Sequence, residues 1–278
     1  MTVVVLTGAT RGIGRAAATA LARAGVELAI VGREASRVED VVREARSAAG
    51  EATVRGHVAD LSLMSEVRRL AAELRESHPH IDVLANNAGA LFASRRVTSE
   101  GLEQTFALNH LAPFLLTNLL LDRLEGGHVI TTSSDAHRGG RLNLEDLQVA
   151  SGNYSAMRVY GTSKLCNILF TRELARRAPQ LRANCFHPGV VRTGFGKNES
   201  GIFKLLATAG APFLRSPERG ARSLVWLATA PAAASLNGAY VVDEKVREPN
   251  AAARDAQLAS ALWERSAELA GLTSDNGG

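Results

Sequence analysis

The sequence predicts an α/β fold in which a doubly wound, parallel sheet of about seven strands lies between two layers of helices. Short β-branched runs alternate with longer amphipathic segments along the 278 residues, and a glycine-rich turn follows the first run. No linker or internal repeat interrupts this alternation. With 46% hydrophobic residues the chain can bury one large core, so we expect a single domain over residues 1–278.

Composition excludes several classes of function. The net charge is +4, but the basic residues are scattered, so we expect no nucleic-acid partner. Cys166 and Cys185 are too few and too isolated for a zinc site, and we expect no metal. No run of about 18 apolar residues occurs, which predicts no stable membrane insertion. Strand-like residues begin at Thr2 and leave no room for a signal peptide, and Arg and Ala greatly outnumber Lys; we therefore expect a cytoplasmic, bacterial protein.

The first strand, over residues 3–6, leads into a turn that can bind a dinucleotide. Gly8 permits a tight turn, Gly12 lets the backbone approach a phosphate, and Gly14 lets the following helix pack closely. The N-terminus of that helix would face the pyrophosphate, since free N–H groups and the helix dipole favour anions. An ordinary tight turn is the alternative, but three glycines in this place favour dinucleotide binding.

The second strand, over residues 28–31, bears on the choice of cofactor. An acid at its end would bind the ribose hydroxyls and select NAD. The chain has Arg33 there and Arg11 in the glycine-rich turn, and two guanidinium groups suit a 2′-phosphate. Glu34 starts the next helix and is the weaker candidate. The alternative is that both arginines are merely solvated, and we predict NADP in preference to NAD.

The next elements are predicted as helix 36–49, strand 52–58, helix 64–76 and strand 81–85. Asp60 follows the third strand and Asn87 follows the fourth. Because the carboxyl ends of parallel strands border the ligand crevice, Asp60 can accept a hydrogen bond from the adenine amino group. Asn87 can support the cofactor or brace a structural turn, and the sequence favours neither role over the other.

A long helix is predicted over residues 99–121, with Asn109 ahead of Pro113. Asparagine is unfavourable inside a helix, and proline bends one. A kink that frees a carbonyl group to hold water is one explanation for this pair. The other is that Asn109 is a core side chain whose hydrogen bonds are satisfied.

After a fifth strand, 128–132, and a loop-rich insertion, 135–158, comes a helix over residues 160–177. It opens with Tyr160 and Lys164, which lie on one helix face because they are four residues apart. The ammonium group would lower the pKa of the phenol, and such a phenol can exchange a proton with a carbonyl oxygen near neutral pH. A chance pair on a solvated face is the alternative.

The remaining elements are a strand over 181–186, a helix over 217–228 capped by Ser216, a strand over 238–242 and a C-terminal helix over about 251–270. The apolar stretch 202–214 lies within a predicted substrate lid over about 195–215. A subunit contact and a membrane contact are the alternatives. Interfacial helices usually carry a basic polar face, which argues against the membrane.

Taken in order, these motifs resemble those of the short-chain dehydrogenase/reductase family, whose members have a Rossmann-type fold. The resemblance rests on Thr7-Gly-x-x-x-Gly-Ile-Gly14, Asp60, Asn86-Asn-Ala-Gly89, Asn109, Ser134, Tyr160-x-x-x-Lys164 and Pro188-Gly189. Residues 109–117, 133–137, 163–171 and 187–189 are similar to the retinol dehydrogenase and WW-domain oxidoreductase group within that family.

The resemblance implies a role for each member of a catalytic group. Tyr160 would be the acid/base, Ser134 would bind the substrate oxygen, and Lys164 would hold the nicotinamide ribose and lower the pKa of Tyr160. Asn109 would hold a water that links Lys164 to solvent. Val191 and Thr193 would contact the carboxamide group of the nicotinamide. The residues implied to contact the cofactor are Gly8, Thr10, Arg11, Gly12, Ile13, Gly14, Arg33, Asp60, Leu61, Asn87, Ala88, Gly89, Tyr160, Lys164, Pro188, Gly189, Val191 and Thr193.

These features predict an NADP(H)-dependent oxidoreductase that interconverts a carbonyl and an alcohol group on a hydrophobic small molecule. A homo-oligomer, either a dimer or a tetramer, is compatible with the sequence. The alternative is a catalytically silent NADP sensor or scaffold on the same fold, because a fold alone does not fix a function. A sensor, however, has no need of the complete catalytic group.

Overall fold

The structure, a computed structural model, describes residues 2–50, 52–191 and 214–272. In these ranges eight strands form one sheet in the order β3-β2-β1-β4-β5-β6-β7-β8, parallel from β3 to β7. The strands are β1 (Val3–Thr7), β2 (Glu27–Gly32), β3 (Val54–Val58), β4 (Val83–Asn86), β5 (His128–Thr132), β6 (Arg182–His187), β7 (Tyr240–Val242) and β8 (Lys245–Arg247). The predicted doubly wound parallel sheet is confirmed.

Within the described part of the chain, seven α-helices lie in the connections between these strands, and an eighth follows β8. They are α1 (Gly12–Arg23), α2 (Ala35–Ala48), α3 (Met64–Ser77), the single turn α4 (Gln104–Phe106), α5 (Ala112–Leu119), α6 (Ala156–Arg177), α7 (Pro217–Thr229) and α8 (Ala256–Leu269). Short 3₁₀ turns occur at Leu121–Arg123, Asp135–Gly139, Pro231–Ala233 and Ala252–Arg254. None of the helices in the described ranges is long and apolar enough to cross a membrane.

The sheet has a hydrophobic core on each face, because successive side chains of a strand point to opposite sides. On β1, Val5 packs into the core formed with α3, α5, α6 and α8. Its neighbours Val4 and Leu6 pack into the core formed with α1, α2 and α7. The strand order reverses between β1 and β4, so a ligand crevice is expected at the carboxyl ends of these two strands.

The eighth strand was not predicted. It pairs antiparallel with β7 through a hairpin whose turn residues, Asp243 and Glu244, have φ angles of 51° and 61°. Two central residues with positive φ are typical of a type I′ turn, which usually contains Asn-Gly or Asp-Gly. Because Asp243-Glu244 lacks that glycine, the sequence carries no conventional hairpin signal at this point.

The predicted single helix over residues 99–121 is wrong in its form. Helix α4 begins only at Gln104 and passes into a π-helical turn over Ala107–Leu111, which α5 then continues. Pro113 has no N–H group, so the carbonyl of Asn109 has no α-helical donor four residues later, and the wider turn accommodates this defect. The C-terminal helix also differs slightly, because a 3₁₀ turn precedes α8.

The predicted lid over about 195–215 lies almost wholly outside the described residues, as does Thr193. Val191, which precedes the lid, and Arg215, at its C-terminal end, form a parallel bridge. Helix α7 then starts as predicted, with Pro217 in its first turn and the Ser216 hydroxyl accepting a hydrogen bond from Arg219 N at 3.3 Å.

Candidate active site

The glycine-rich turn brings bare backbone to the N-terminus of α1. Gly8 has a φ angle of +64°, and a Cβ atom built there would lie 2.6 Å from the Ala88 Cα. A Cβ on Gly14 would clash with the Gly8 carbonyl oxygen. Arg11, the N-cap residue, makes no side-chain capping bond, and the first turn of α1 contains no acid. The free N–H groups of this turn therefore suit a pyrophosphate.

Asn87 ties together the ends of three strands. Its amide nitrogen donates to the Thr7 carbonyl at 3.0 Å and to the Gly8 carbonyl at 3.3 Å, and its Oδ1 accepts from the Thr132 hydroxyl at 3.4 Å. The Thr7 hydroxyl, to which the sequence assigned no role, accepts from the backbone N–H groups of Asn87 and Ala88 at 3.0 and 3.1 Å. The bracing role of Asn87 is thus built into the fold.

The two arginines predicted to bind a 2′-phosphate already face carboxylates. Arg33 Nη1 lies 3.9 Å from Asp60 Oδ2, and Arg11 Nη2 lies 3.3 Å from Glu34 Oε1. Arg37 on α2 also contacts Glu34, at 2.9 Å. Sequence reasoning missed Arg37, because its position becomes evident only once α2 is known to begin at residue 35. All these side chains are partly exposed, so their ion pairs contribute little to stability and the arginines can exchange them for other anionic partners.

Three other residues implied to contact the cofactor have structural contacts of their own. Asp60 Oδ1 accepts from Ser62 N at 3.0 Å and from Ser62 Oγ at 2.7 Å. Leu61 is buried in the core beside α3. Thr10 lies so close to the end of β2 that a Cβ atom on Gly32 would clash with its methyl group.

Tyr160, Lys164 and Ser134 meet where β5 ends and α6 begins. Lys164 Nζ lies 5.5 Å from the centre of the Tyr160 ring, so the two side chains share one face of α6. The Tyr160 hydroxyl forms a hydrogen bond with Ser134. Lys164 Nζ donates to the Thr132 carbonyl at 3.0 Å, which fixes the ammonium group at the end of β5.

The electrostatic prediction for Tyr160 requires correction. Lys164 was expected to lower the pKa of the phenol, whereas burial raises the pKa of Tyr160 to about 12, and the hydrogen bond to Ser134 only partly opposes this rise. Burial also lowers the pKa of Lys164 to about 8. Desolvation dominates at both groups. Burial costs each charged form more hydration free energy than its interaction with the other side chain, at 5.5 Å, restores.

Asn109 lies next to this group and is fully buried. Its Nδ2 donates to the Ala90 carbonyl at 2.9 Å and to Ser163 Oγ at 3.0 Å, and its Oδ1 accepts from Ala90 N at 2.8 Å. Both polar atoms of the side chain therefore have hydrogen-bond partners, while the backbone around it forms the π-helical turn described above. A Cβ atom on Gly89 would lie 3.2 Å from Asn109 Oδ1 and 3.3 Å from Lys164 Nζ, so this glycine makes room for both.

Two buried histidines support the residues beside Ser134. His137 Nδ1 lies 2.7 Å from the Ser134 carbonyl, and His187 Nδ1 accepts from Asp135 N at 3.3 Å. Asp135 Oδ1 also accepts from the Tyr240 hydroxyl at 2.9 Å. Burial lowers the pKa of both histidines, so they are neutral at neutral pH. Sequence reasoning met them only as parts of the family resemblance.

The segment after β6 borders the same crevice. Pro188 and Gly189 follow the strand, and Gly189 has a φ angle of +81° with the Arg215 side chain packed against it. Val191 and Ile13 approach each other over Gly220 of α7, where a Cβ atom would lie 2.6 and 3.1 Å from their side chains. The structure thus connects this segment to the glycine-rich turn.

Comparison with known proteins places the chain among its relatives. A family model described as short chain dehydrogenase matches residues 2–201. Over 272 residues the chain is 45% identical to DnrU of Streptomyces sp. (strain C5), provisionally named a daunorubicin C-13 ketoreductase, and the match covers 97% of this chain and 93% of that protein. It is 36% identical over 279 residues to retinol dehydrogenase 13 of Homo sapiens, covering 97% and 84% of the two chains.

Solved structures show the same fold. A crystal structure of an uncharacterised protein from Mycobacterium paratuberculosis has a TM-score of 0.79 and 35% identity, covering 98% of this chain and 94% of that one. The alcohol dehydrogenase of Thermococcus sibiricus, solved with 5-hydroxy-NADP, has a TM-score of 0.68 and 26% identity, covering 87% and 95%. The expected resemblance to retinol dehydrogenases is confirmed. The chain is a member of the short-chain dehydrogenase family of oxidoreductases.

Proposed function

We propose that this oxidoreductase uses NADP(H) to interconvert a carbonyl and an alcohol group on a hydrophobic small molecule, with Tyr160 as the acid/base. One observation carries the proposal: the Tyr160 phenol, the Ser134 hydroxyl and the Lys164 ammonium group converge at the carboxyl end of β5. The name of DnrU, a ketoreductase, and the retinol dehydrogenase names support a ketone or aldehyde as the oxidised partner.

The glycine-rich turn would hold the pyrophosphate of the cofactor, and Arg11 and Arg33 would hold the 2′-phosphate. The bound nicotinamide supplies the hydride. On the protein side, Ser134 donates a hydrogen bond to the substrate oxygen and orients it towards Tyr160. A phenol whose pKa is raised to about 12 is protonated at neutral pH, so Tyr160 is ready to donate a proton during reduction.

Lys164 has two roles in this proposal. Its pKa of about 8 leaves the group mostly protonated at neutral pH, so the ammonium can bind the ribose hydroxyls of the cofactor. The same charge stabilises the phenolate that remains after proton donation, because an opposite charge nearby favours the ionised form. Asn109 fixes the loop at Ala90 and the hydroxyl of Ser163, so it supports this arrangement through its neighbours.

Replacing Tyr160 by Phe tests the proposal directly. The substitution removes the proton donor and leaves the ring, so kcat for NADPH-dependent reduction of hydrophobic aldehydes and ketones should fall by at least ~10²-fold. The dissociation constant for NADPH should stay close to that of the wild type. A variant with near-normal kcat would eliminate the role of Tyr160, and wild-type protein that binds NADPH but turns over no member of the substrate panel would favour the sensor alternative.

A further inference from the structure

A close backbone contact joins the start of α6 to the segment that follows β5. Gly161 comes directly after Tyr160 and is buried inside α6, a helix of 22 residues. Glycine is less favourable than alanine inside a helix by about 1 kcal/mol, so its contacts at this position are of interest. Gly161 does not have a positive φ angle, so its backbone conformation does not require glycine.

The reason for Gly161 is steric. A Cβ atom built on it would lie 2.5 Å from the Ala136 carbonyl oxygen and 3.3 Å from Gly140 N. From the opposite side, a Cβ atom on Gly140 would lie 2.6 Å from the Gly161 carbonyl oxygen. Both shorter distances fall well inside van der Waals contact. The two backbones therefore touch with no side chain between them.

The segment held in this way carries Ser134. The Ser134 hydroxyl accepts a hydrogen bond from Ala136 N at 3.2 Å, which links the position of the hydroxyl to that of Ala136. At the other end of the segment, Thr162 Oγ1 accepts from Arg141 N at 3.0 Å and donates to the Arg141 carbonyl at 3.1 Å. Residues 134–141 are thereby fastened to the first turns of α6.

We propose that Gly161 and Gly140 are positioning residues that set the distance between the Ser134 hydroxyl and the Tyr160 phenol. This inference rests on the proposed function of those two groups. A methyl group at either glycine pushes the segment away from α6 by roughly 1 Å, the distance needed to restore normal contact. A displacement of this size at a reacting centre can lower the rate by about 10²-fold.

The test compares three neighbouring glycines. Gly161→Ala and Gly140→Ala should each lower kcat for NADPH-dependent carbonyl reduction by about 10- to 100-fold, with little change in the dissociation constant for NADPH. Gly139 is the matched control, because it is exposed and a Cβ atom built on it has no neighbour within 4 Å. Gly139→Ala should therefore have wild-type kcat.

Cofactor binding provides a readout that general damage to the fold would not produce. Displacement of Ser134 should lower kcat while each variant binds NADPH with the stoichiometry and dissociation constant of the wild type, whereas partial unfolding would lower kcat and the number of NADPH sites together. If Gly161→Ala and Gly140→Ala retain kcat within about twofold of Gly139→Ala, the inference is wrong. If Tyr160→Phe retains activity as well, the proposed function itself fails.

A milder pair of variants decides the question if the alanine variants do not fold. Thr162→Val removes the two hydrogen bonds to Arg141 and leaves both glycines in place, while Thr162→Ser retains the hydroxyl. The Val variant should lose kcat severalfold and the Ser variant should restore it. Equal kcat in the Val and Ser variants would overturn the inference.

Discussion

Replacing Lys164 by Met should make the protein more stable and nearly inactive. The lysine is only 2% exposed, and burial lowers its pKa from 10.5 to about 8. The buried ammonium group therefore opposes folding, because it is fully hydrated in the unfolded chain. At about 1.4 kcal/mol for each pKa unit, the difference between the two pKa values corresponds to roughly 3 kcal/mol at neutral pH.

Methionine retains the length and the apolar contacts of the lysine stem. The main loss is the 3.0 Å hydrogen bond from Nζ to the Thr132 carbonyl. That oxygen stays paired, because Asn167 Nδ2 also donates to it, at 3.1 Å. A hydrogen bond to a charged group contributes about 1.5–3 kcal/mol, so the expected net gain in unfolding free energy is about 1 kcal/mol.

Denaturant unfolding across a pH series tests this balance. Below about pH 8 the wild-type lysine is charged in both states, so the gain in the Met variant is complete. Between pH 8 and 10.5 the folded wild type binds fewer protons than its unfolded chain, so its stability rises relative to the variant and the gain shrinks. Lys245→Met, at an exposed position on β8, is the control. A less stable Met variant, or a gain that does not depend on pH, would refute the reasoning.

Two further predictions concern the cofactor and the pH dependence of turnover. Arg33→Ala should weaken NADPH binding about ten- to a hundredfold and leave NADH binding nearly unaffected, and Arg33→Asp should invert the cofactor preference. The ratio of kcat/KM for NADPH to that for NADH measures this preference, and Arg43→Ala, at an exposed position, is the control. A ratio that neither Arg33 substitution changes would count against the assignment. The kcat for reduction should be constant near neutral pH and fall above about pH 8 as Lys164 loses its proton; a flat profile to about pH 10 would show that this proton is not required.

The sequence was sufficient to predict features in which a given residue type at a given spacing can adopt only one arrangement. The glycines at positions 8 and 14 and the four-residue spacing of Tyr160 and Lys164 belong to this class. The hairpin at Asp243-Glu244 was missed because neither residue is the glycine that such turns favour. The pKa of Tyr160 could not be predicted because burial, unlike spacing, depends on what the rest of the chain packs around the phenol.

The contact residues of the site also required the fold. Gly161 in the sequence is only a weak helix former, and its meaning depends on Ala136 and Gly140, which a loop brings against it. Arg37 and His137 likewise acquire their contacts from partners elsewhere in the structure. Tertiary contacts of this kind leave no periodic signal in a sequence.

The division of the sheet into two cores has a consequence for how variants combine. Helices α1 and α2, which follow the glycine-rich turn and Arg33, belong to one face, and α6, which carries Tyr160 and Lys164, belongs to the other. Substitutions that change cofactor choice and substitutions that change proton transfer therefore perturb separate packing environments. Their effects on the free energy of unfolding should be additive, as they are for distant sites without shared packing partners. A packing defect on one face of the sheet accordingly cannot be relieved by repacking the other.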